Sequence, residues 1–194
     1  MSLTADLADE LSTLTTSLRS ALKEYPDFPT PGILFQDILP IFATPSLHAS
    51  LLRALEIHLT HTFPPTLSPP FAGIDAVIGL EARGFLFGPS LALKLGAAFV
   101  PVRKAGKLPG ECVKVGYKKE YGEDFFEMQK GAVKEGSRVV IVDDIIATGG
   151  SAEAAAVLVN MCGGTVVEFC FLMELGFLKG REKLGAPVFT LVTH

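Results

Sequence analysis

The chain has 194 residues, a formal net charge of -4 and a mean hydropathy of +0.39, a length at which one domain buries about 70% of its unfolded surface without metal or disulfide staples. Three cysteines, Cys112, Cys162 and Cys170, are odd in number and lack CxxC spacing, which excludes a disulfide framework and a zinc knuckle and fits a reduced, cytoplasmic setting. The acidic balance argues against a nucleic-acid surface, and no apolar run reaches the roughly 20 residues that span a bilayer, so neither nucleic acid nor membrane is expected as a partner.

Leu3, Leu7, Leu11, Leu14, Leu18 and Leu22 recur at helical spacing. They predict an amphipathic helix in place of a secretory leader, ending before Pro26 because proline disfavours helix in the residue ahead of it. Pro26, Pro29, Pro31 and Gly32 then imply a turn-rich, irregular path. Leu47, Leu51, Leu55 and Leu59 predict a second helix over about 46–62, and the proline-rich stretch 64–70 that ends it reads as a surface loop. From residue 74 the patterns alternate: strand 76–80, helix 85–95, strand 98–103, strand 138–142, helix 150–161, strand 166–172 and an edge strand over 188–192. This order predicts a single α/β domain with a central, mostly parallel twisted sheet flanked by helices. Residues 104–124 interrupt the alternation; polar and rich in lysine and glycine, they read by composition equally as a lid or as disorder.

The most informative stretch is 139–151, VVIVDDIIATGGS. Four β-branched residues form a strand buried on both faces, expected to stop at Asp143 and Asp144, since unpaired acids resist burial. Ala147, Thr148, Gly149, Gly150 and Ser151 then supply small side chains and hydroxyls ahead of an alanine-rich helix, where exposed backbone N–H groups and the helix dipole favour a phosphate. Carboxylates beside a phosphate turn suit a sugar phosphate, the acids accepting hydrogen bonds from vicinal hydroxyls. The same residues also read as an ordinary strand-to-helix turn with Thr148 or Ser151 as N-cap. No GxxxxGK[ST] and no helix-opening GxGxxG occurs, so a P-loop and a dinucleotide fingerprint are both excluded.

VVIVDDIIATGGS resembles the motif by which type I phosphoribosyltransferases bind 5-phosphoribosyl-1-pyrophosphate (PRPP). Residues 25–40, YPDFPTPGILFQDILP, are similar to the N-terminal signature of the adenine-specific members, as are GLEARGFLFGPSLA at 79–92, RKAGKLPG at 103–110 and EYG at 120–122. The resemblance implies transfer of the phosphoribosyl group from PRPP to adenine, giving AMP and pyrophosphate, by a homodimer with a hood over about 1–45 and a flexible lid over 104–124. It assigns Asp143, Asp144, Ala147, Thr148, Gly149, Gly150 and Ser151 to ribose and 5′-phosphate. Glu81, Ala82, Arg83 and Gly84, joined by a non-proline cis peptide in the family, would bind pyrophosphate with Arg103, Lys104 and Lys107. Magnesium would ride on PRPP or pyrophosphate, since it prefers phosphate oxygens and water, and no residue is assigned as a dedicated metal ligand. Phe35 and Ile145 would sandwich adenine while the backbone around Leu34 and Gln36 reads its edge; relatives often carry arginine at the Gln36 position.

The resemblance also assigns catalysis to Arg83 and to Glu120 with Tyr121, as groups acting on the leaving group and on the purine imidazole ring. Ala147 stands where hypoxanthine-guanine relatives carry an aspartate, and a methyl group cannot transfer a proton. Taken without the resemblance, the Glu81–Arg83 turn reads as a surface turn, Phe35 as core, Glu120 as a solvated glutamate, and Lys114, Lys118 and Lys119 as a solvated lysine loop. Two other functions share the PRPP motif: transfer to another nucleobase, and PRPP sensing by a DNA-binding regulator. The 24 residues ahead of Tyr25 are too few for a winged-helix module, and the 25–40 segment, Ala147 and EYG favour adenine.

Overall fold

The computed structural model describes residues 3–32, 34–64, 73–118 and 123–193, with no account of the side chains of Tyr117, Lys118 and Glu123. Two compact units divide between Thr62 and Phe63.

In the first unit, helix α1 (Ala5–Ala21), the short α2 (Leu39–Ala43) and α3 (Pro45–Thr62) pack together. The leucine stripe behaves as its spacing predicts: Leu7, Leu11 and Leu14 are half-buried and Leu18 is fully buried. Arg53 of α3 forks onto Glu10 of α1, with Nε–Oε1 at 2.7 Å and Nη2–Oε2 at 3.0 Å. Part of the segment expected to be irregular is an antiparallel ribbon of β1 (Lys23–Pro26) and β2 (Leu34–Asp37), pairing Tyr25 with Phe35 and Glu24 with Gln36. Its prolines sit at the last position of β1 and in the connection. There the Asp27 carboxylate accepts the Gly32 N–H at 2.7 Å, with both residues at positive φ, +57° and +87°.

The second unit is built on a seven-stranded sheet among the described residues. Strands β3 (Ala76–Leu80), β4 (Ala98–Lys104), β5 (Cys112–Lys118), β6 (Glu123–Gln129), β7 (Arg138–Ile146), β8 (Thr165–Glu174) and β9 (Val188–Thr193) lie in the order β5-β6-β4-β3-β7-β8-β9. The five strands from β4 to β9 in that order are mutually parallel, and the β5–β6 pair joins antiparallel to β4. Val139 to Val142 are fully buried, as a parallel strand covered on both faces requires. Helix α5 (Gly150–Met161) packs on this sheet through Ala155, Leu158 and Val159, and Phe169 stacks on Phe171 at 6.4 Å.

Two local expectations need correction. The helix expected over 85–95 is a 3-10 turn (Arg83–Leu86) followed by α4 (Gly88–Leu95), because Phe87 leaves helical geometry at φ -134° just ahead of the proline in the first turn of α4. Within the 104–124 stretch, residues 112–118 form a strand that pairs with 123–129: Val113 and Val115 pack against the core, and Phe126 and Met128 enter it. Strand β7 does not stop at the acids but continues to Ile146. Its pairing with β3 ends at Gly79–Val142, whereas its pairing with β8 runs on to Ile146–Glu174. Asp143 and Asp144 therefore lie on a stretch of strand that has a ladder partner on one side only.

Candidate active site

A cavity of about 170 Å³ opens where β7 outruns β3. Leu80, Arg83, Asp143, Ile145, Phe171 and residues 146–152 line it, so the strand acid and the whole Ala147, Thr148, Gly149, Gly150 and Ser151 turn face one space. This is the ligand position expected at the carboxyl ends of strands in an open α/β sheet. Gly149, not Thr148 or Ser151, is the N-cap of α5; it has φ +82° and makes no side-chain cap hydrogen bond. The helix thus begins at the cavity with backbone donors that no side chain caps, the arrangement that attracts phosphate. Behind the turn lies Gly180: a Cβ on Gly149 would come 2.5 Å from the Gly180 carbonyl oxygen, and a Cβ on Gly180 would strike the Ala147 carbonyl. Both positions require glycine for close backbone approach.

The two acids divide their work. Asp143 lines the cavity, and its Oδ1 accepts the Asp144 N–H at 2.9 Å. Asp144, 2% exposed in its side chain, pairs through Oδ2 with Arg83 Nη1 at 3.0 Å, while its Oδ1 is buried without a hydrogen-bond partner among the described residues. Burial and the neighbouring Asp144 charge push the Asp143 carboxyl well above the ordinary aspartate range; burial also raises Asp144, against the pull of Arg83. A site that desolvates two adjacent carboxylates has a use for donors or a cation brought by a ligand. The unsatisfied Asp144 oxygen and the raised acids beside a phosphate turn suit a magnesium–phosphate ligand better than a bare metal cage.

The Glu81–Ala82 peptide is cis, as the resemblance implied. Gly84 follows, where a Cβ would stand 2.6 Å from the Val142 carbonyl oxygen, so the turn lies against β7 beside the acids. The Glu81 carboxylate is engaged by partners within the protein. It holds Arg103 in a fork, Oε2–Nε 3.1 Å and Oε1–Nη2 2.9 Å, and accepts the Lys104 N–H at 3.0 Å. That fork, ahead of the opposing cost of burial, keeps Glu81 below the usual carboxylate range. Arg103 also donates to the Lys107 carbonyl at 3.2 Å, and the Lys104 ammonium lies 3.6 Å from Asp124. The residues assigned to pyrophosphate thus belong to one network tied to the Glu81 turn, Arg103 through its guanidinium and Lys104 and Lys107 through their backbone.

Leu34, Phe35 and Gln36 belong to the first unit, on β2. Phe35 meets Phe28 edge-on at 5.1 Å, and Gln36 donates to Glu24 at 3.2 Å. Glu120 and Tyr121 lie outside the described residues, as does Lys119. Sequence reasoning missed two contributors. Gly180 underpins the phosphate turn, and Glu127 is a buried acid that accepts the Lys107 and Leu108 N–H groups at 2.8 and 2.9 Å. The one local signal for Glu127 is its place between two core-type residues, Phe126 and Met128.

A mostly parallel sheet with a phosphate-type turn at a helix start and a strand acid beside it fits the phosphoribosyltransferase class, and residues 71–190 match the family model described as a phosphoribosyl transferase domain. The chain is 57% identical over 182 residues to adenine phosphoribosyltransferase 1 of Saccharomyces cerevisiae, covering 94% of each chain. It is 54% identical over 183 residues to the adenine phosphoribosyltransferase of Yarrowia lipolytica, covering 94% of this chain and 97% of that one. A crystal structure of the Saccharomyces cerevisiae adenine phosphoribosyltransferase superposes with a TM-score of 0.87 at 58% identity, covering 93% of this chain and 99% of that chain. The Thermoanaerobacter pseudethanolicus adenine phosphoribosyltransferase gives 0.84 at 42%, covering 93% and 99%. The chain belongs to the adenine phosphoribosyltransferase family, within the type I phosphoribosyltransferases.

Proposed function

We propose that this enzyme transfers the 5-phosphoribosyl group of PRPP to adenine, giving AMP and pyrophosphate, a step of purine salvage. The observation that carries the reading is the cavity that combines Asp143 with the 147–151 turn at the start of α5. The turn would hold the 5′-phosphate through backbone N–H groups and the Thr148 and Ser151 hydroxyls, and Asp143 would accept hydrogen bonds from the ribose hydroxyls. Arg83, held on Asp144, would sit at the edge between ribose and leaving group. Arg103, Lys104 and Lys107 would meet the pyrophosphate, where negative charge grows as the anomeric bond breaks and the ribose gains oxocarbenium character. Magnesium, carried by PRPP or pyrophosphate near Asp143 and Asp144, would neutralise part of that charge.

Leu34, Phe35, Gln36 and Ile145 are our assignment for adenine. The crystal structure of the Saccharomyces cerevisiae relative holds adenine together with an imino-altritol bisphosphate, which supports a base site in this family. Glu120, with Tyr121 beside it, is assigned to the purine imidazole ring and residues 104–124 to a lid. Purified protein incubated with PRPP, magnesium and each of adenine, guanine, hypoxanthine, xanthine, uracil and orotate should release pyrophosphate with adenine alone; release with a different base reassigns the substrate.

We further propose a homodimer in the cytoplasm. No helix among the described residues is long and apolar enough to cross a membrane. Leu93 is 83% exposed and Phe177 74% exposed, apolar surface that a second copy could cover. Sedimentation at micromolar concentration should give twice the 20.7 kDa chain mass; a species of monomer mass refutes the dimer.

A further inference from the structure

Glu127 lies in β6 between Phe126 and Met128, and all three are buried. An acid there forfeits hydration, a cost that is tolerated only when donors replace the water. The donors come from the connection between β4 and β5. Glu127 Oε1 accepts the N–H of Lys107 at 2.8 Å and of Leu108 at 2.9 Å, with the Gly106 N–H as a third backbone donor to the carboxylate. Oε2 lies 3.5 Å from the Lys114 ammonium. Gly106 and Gly110 have φ of +83° and +75°, conformations that let the chain wrap around a single acceptor. Successive N–H groups turned to one point form an anion-binding nest, and here the protein's own carboxylate fills it.

The other side of the same turn faces the Glu81 network. The Lys107 carbonyl takes Arg103 Nη1, and Arg103 is forked on Glu81 beside the cis peptide. The backbone that carries Lys107 is therefore gripped from inside the sheet by Glu127 and from the site side by Arg103. We propose that Glu127 is a positioning residue for the leaving-group half of the site: by filling the nest it sets where the Lys107 ammonium stands when pyrophosphate is bound. This inference rests on the assignment of Lys107 to pyrophosphate made above.

The ligand that separates this role from general packing is AMP, which carries the 5′-phosphate and ribose but no pyrophosphate. Glu127→Gln keeps the size and removes the charge. Pyrophosphate and PRPP should bind about tenfold or more weakly by calorimetry, while AMP affinity stays within about twofold, and Glu127→Asp should recover part of the loss. Equal weakening of AMP and pyrophosphate overturns the proposal, as does unchanged pyrophosphate affinity. If Glu127→Gln does not fold by circular dichroism, Glu127→Asp alone decides by the same split, and loss of fold in both assigns Glu127 to stability only. Lys107→Met, measured in parallel, tests the underlying assignment: full pyrophosphate affinity there removes Lys107 from the site. Weakening in Lys107→Met without weakening in Glu127→Gln refutes the positioning role alone.

Discussion

Asp143, proposed above to bind ribose, shows how a site position departs from what folding favours. It occupies a strand position where burial and the adjacent Asp144 oppose its charge. The sign follows from proton linkage. Below about pH 3.8, the ordinary aspartate value, the acid is protonated in both states and costs nothing. As pH rises the unfolded chain ionises first and the folded protein loses stability. Asp143→Asn should therefore raise the thermal midpoint at pH 7, by about 2–4 °C for each kcal/mol recovered, and should have little effect near pH 3. It should also weaken PRPP by about 1.5–3 kcal/mol through the loss of a charge-assisted bond to ribose. A lower midpoint at pH 7 would contradict the burial argument, and unchanged PRPP affinity the ribose assignment. Gly180 makes the complementary case. In Gly180→Ala the new methyl meets the Ala147 carbonyl and lies 2.8 Å from the Gly149 nitrogen, which forces the phosphate turn outward at a cost of about 1–3 kcal/mol. AMP and PRPP should weaken together in this variant, in contrast to Glu127→Gln, and full AMP affinity would show that the turn does not depend on its glycine support.

Elements differed in how plainly their residues announced them. The helices of both units and the buried parallel strands carry strong periodic signals, leucines at i, i+3, i+4 or runs of β-branched residues. The β5–β6 pair does not, because the exposed positions described on β5 are Lys114 and Gly116, residue types whose frequency suggests a loop. The inward Val113, Val115, Phe126 and Met128 pay for strand formation through contacts with a sheet remote in sequence. This pair flanks the segment that contains Glu120, which lies outside the described residues. If that glutamate moves a proton at the purine ring, Glu120→Gln should lower single-turnover rates roughly 10²- to 10⁴-fold with saturating adenine, while PRPP affinity holds. A wild-type chemical rate would leave anion stabilisation by Arg83, Arg103 and Lys107 as the main catalytic contribution.

At the scale of the whole molecule, three buried or half-buried glutamates of the second unit are held below the ordinary value of 4.5 by partners elsewhere in the chain. Glu81 is held chiefly by Arg103 and Glu174 chiefly by Arg181; for Glu127, backbone donors of the 106–108 turn outweigh a large burial penalty. Their sign is opposite to that of the aspartate pair. Each contributes stability that is present above pH 4.5 and is lost as pH falls through its lower folded value, because the unfolded state then binds more protons. The thermal midpoint should therefore fall steeply as pH drops below about 4.5. Glu174→Gln should flatten that slope, since removing the Arg181 partner removes one linked proton. A midpoint independent of pH between 5 and 3 would show that these pairs do not contribute to stability.

The order of residues alone determined the α/β alternation, the small-residue turn at the start of α5 and the resemblance that led to the family, because each rests on neighbours within one helix, strand or turn. Tertiary structure decided the rest. Whether Asp143 or Asp144 faces the cavity depends on where β3 stops pairing with β7 and on Arg83 claiming the second acid. Gly180 matters because a segment some 30 residues downstream of the phosphate turn passes within a backbone's width of it, and Glu127 because three N–H groups from a neighbouring connection converge on it. A buried charge is tolerated only if donors arrive from elsewhere in the chain, and periodicity carries no record of their arrival.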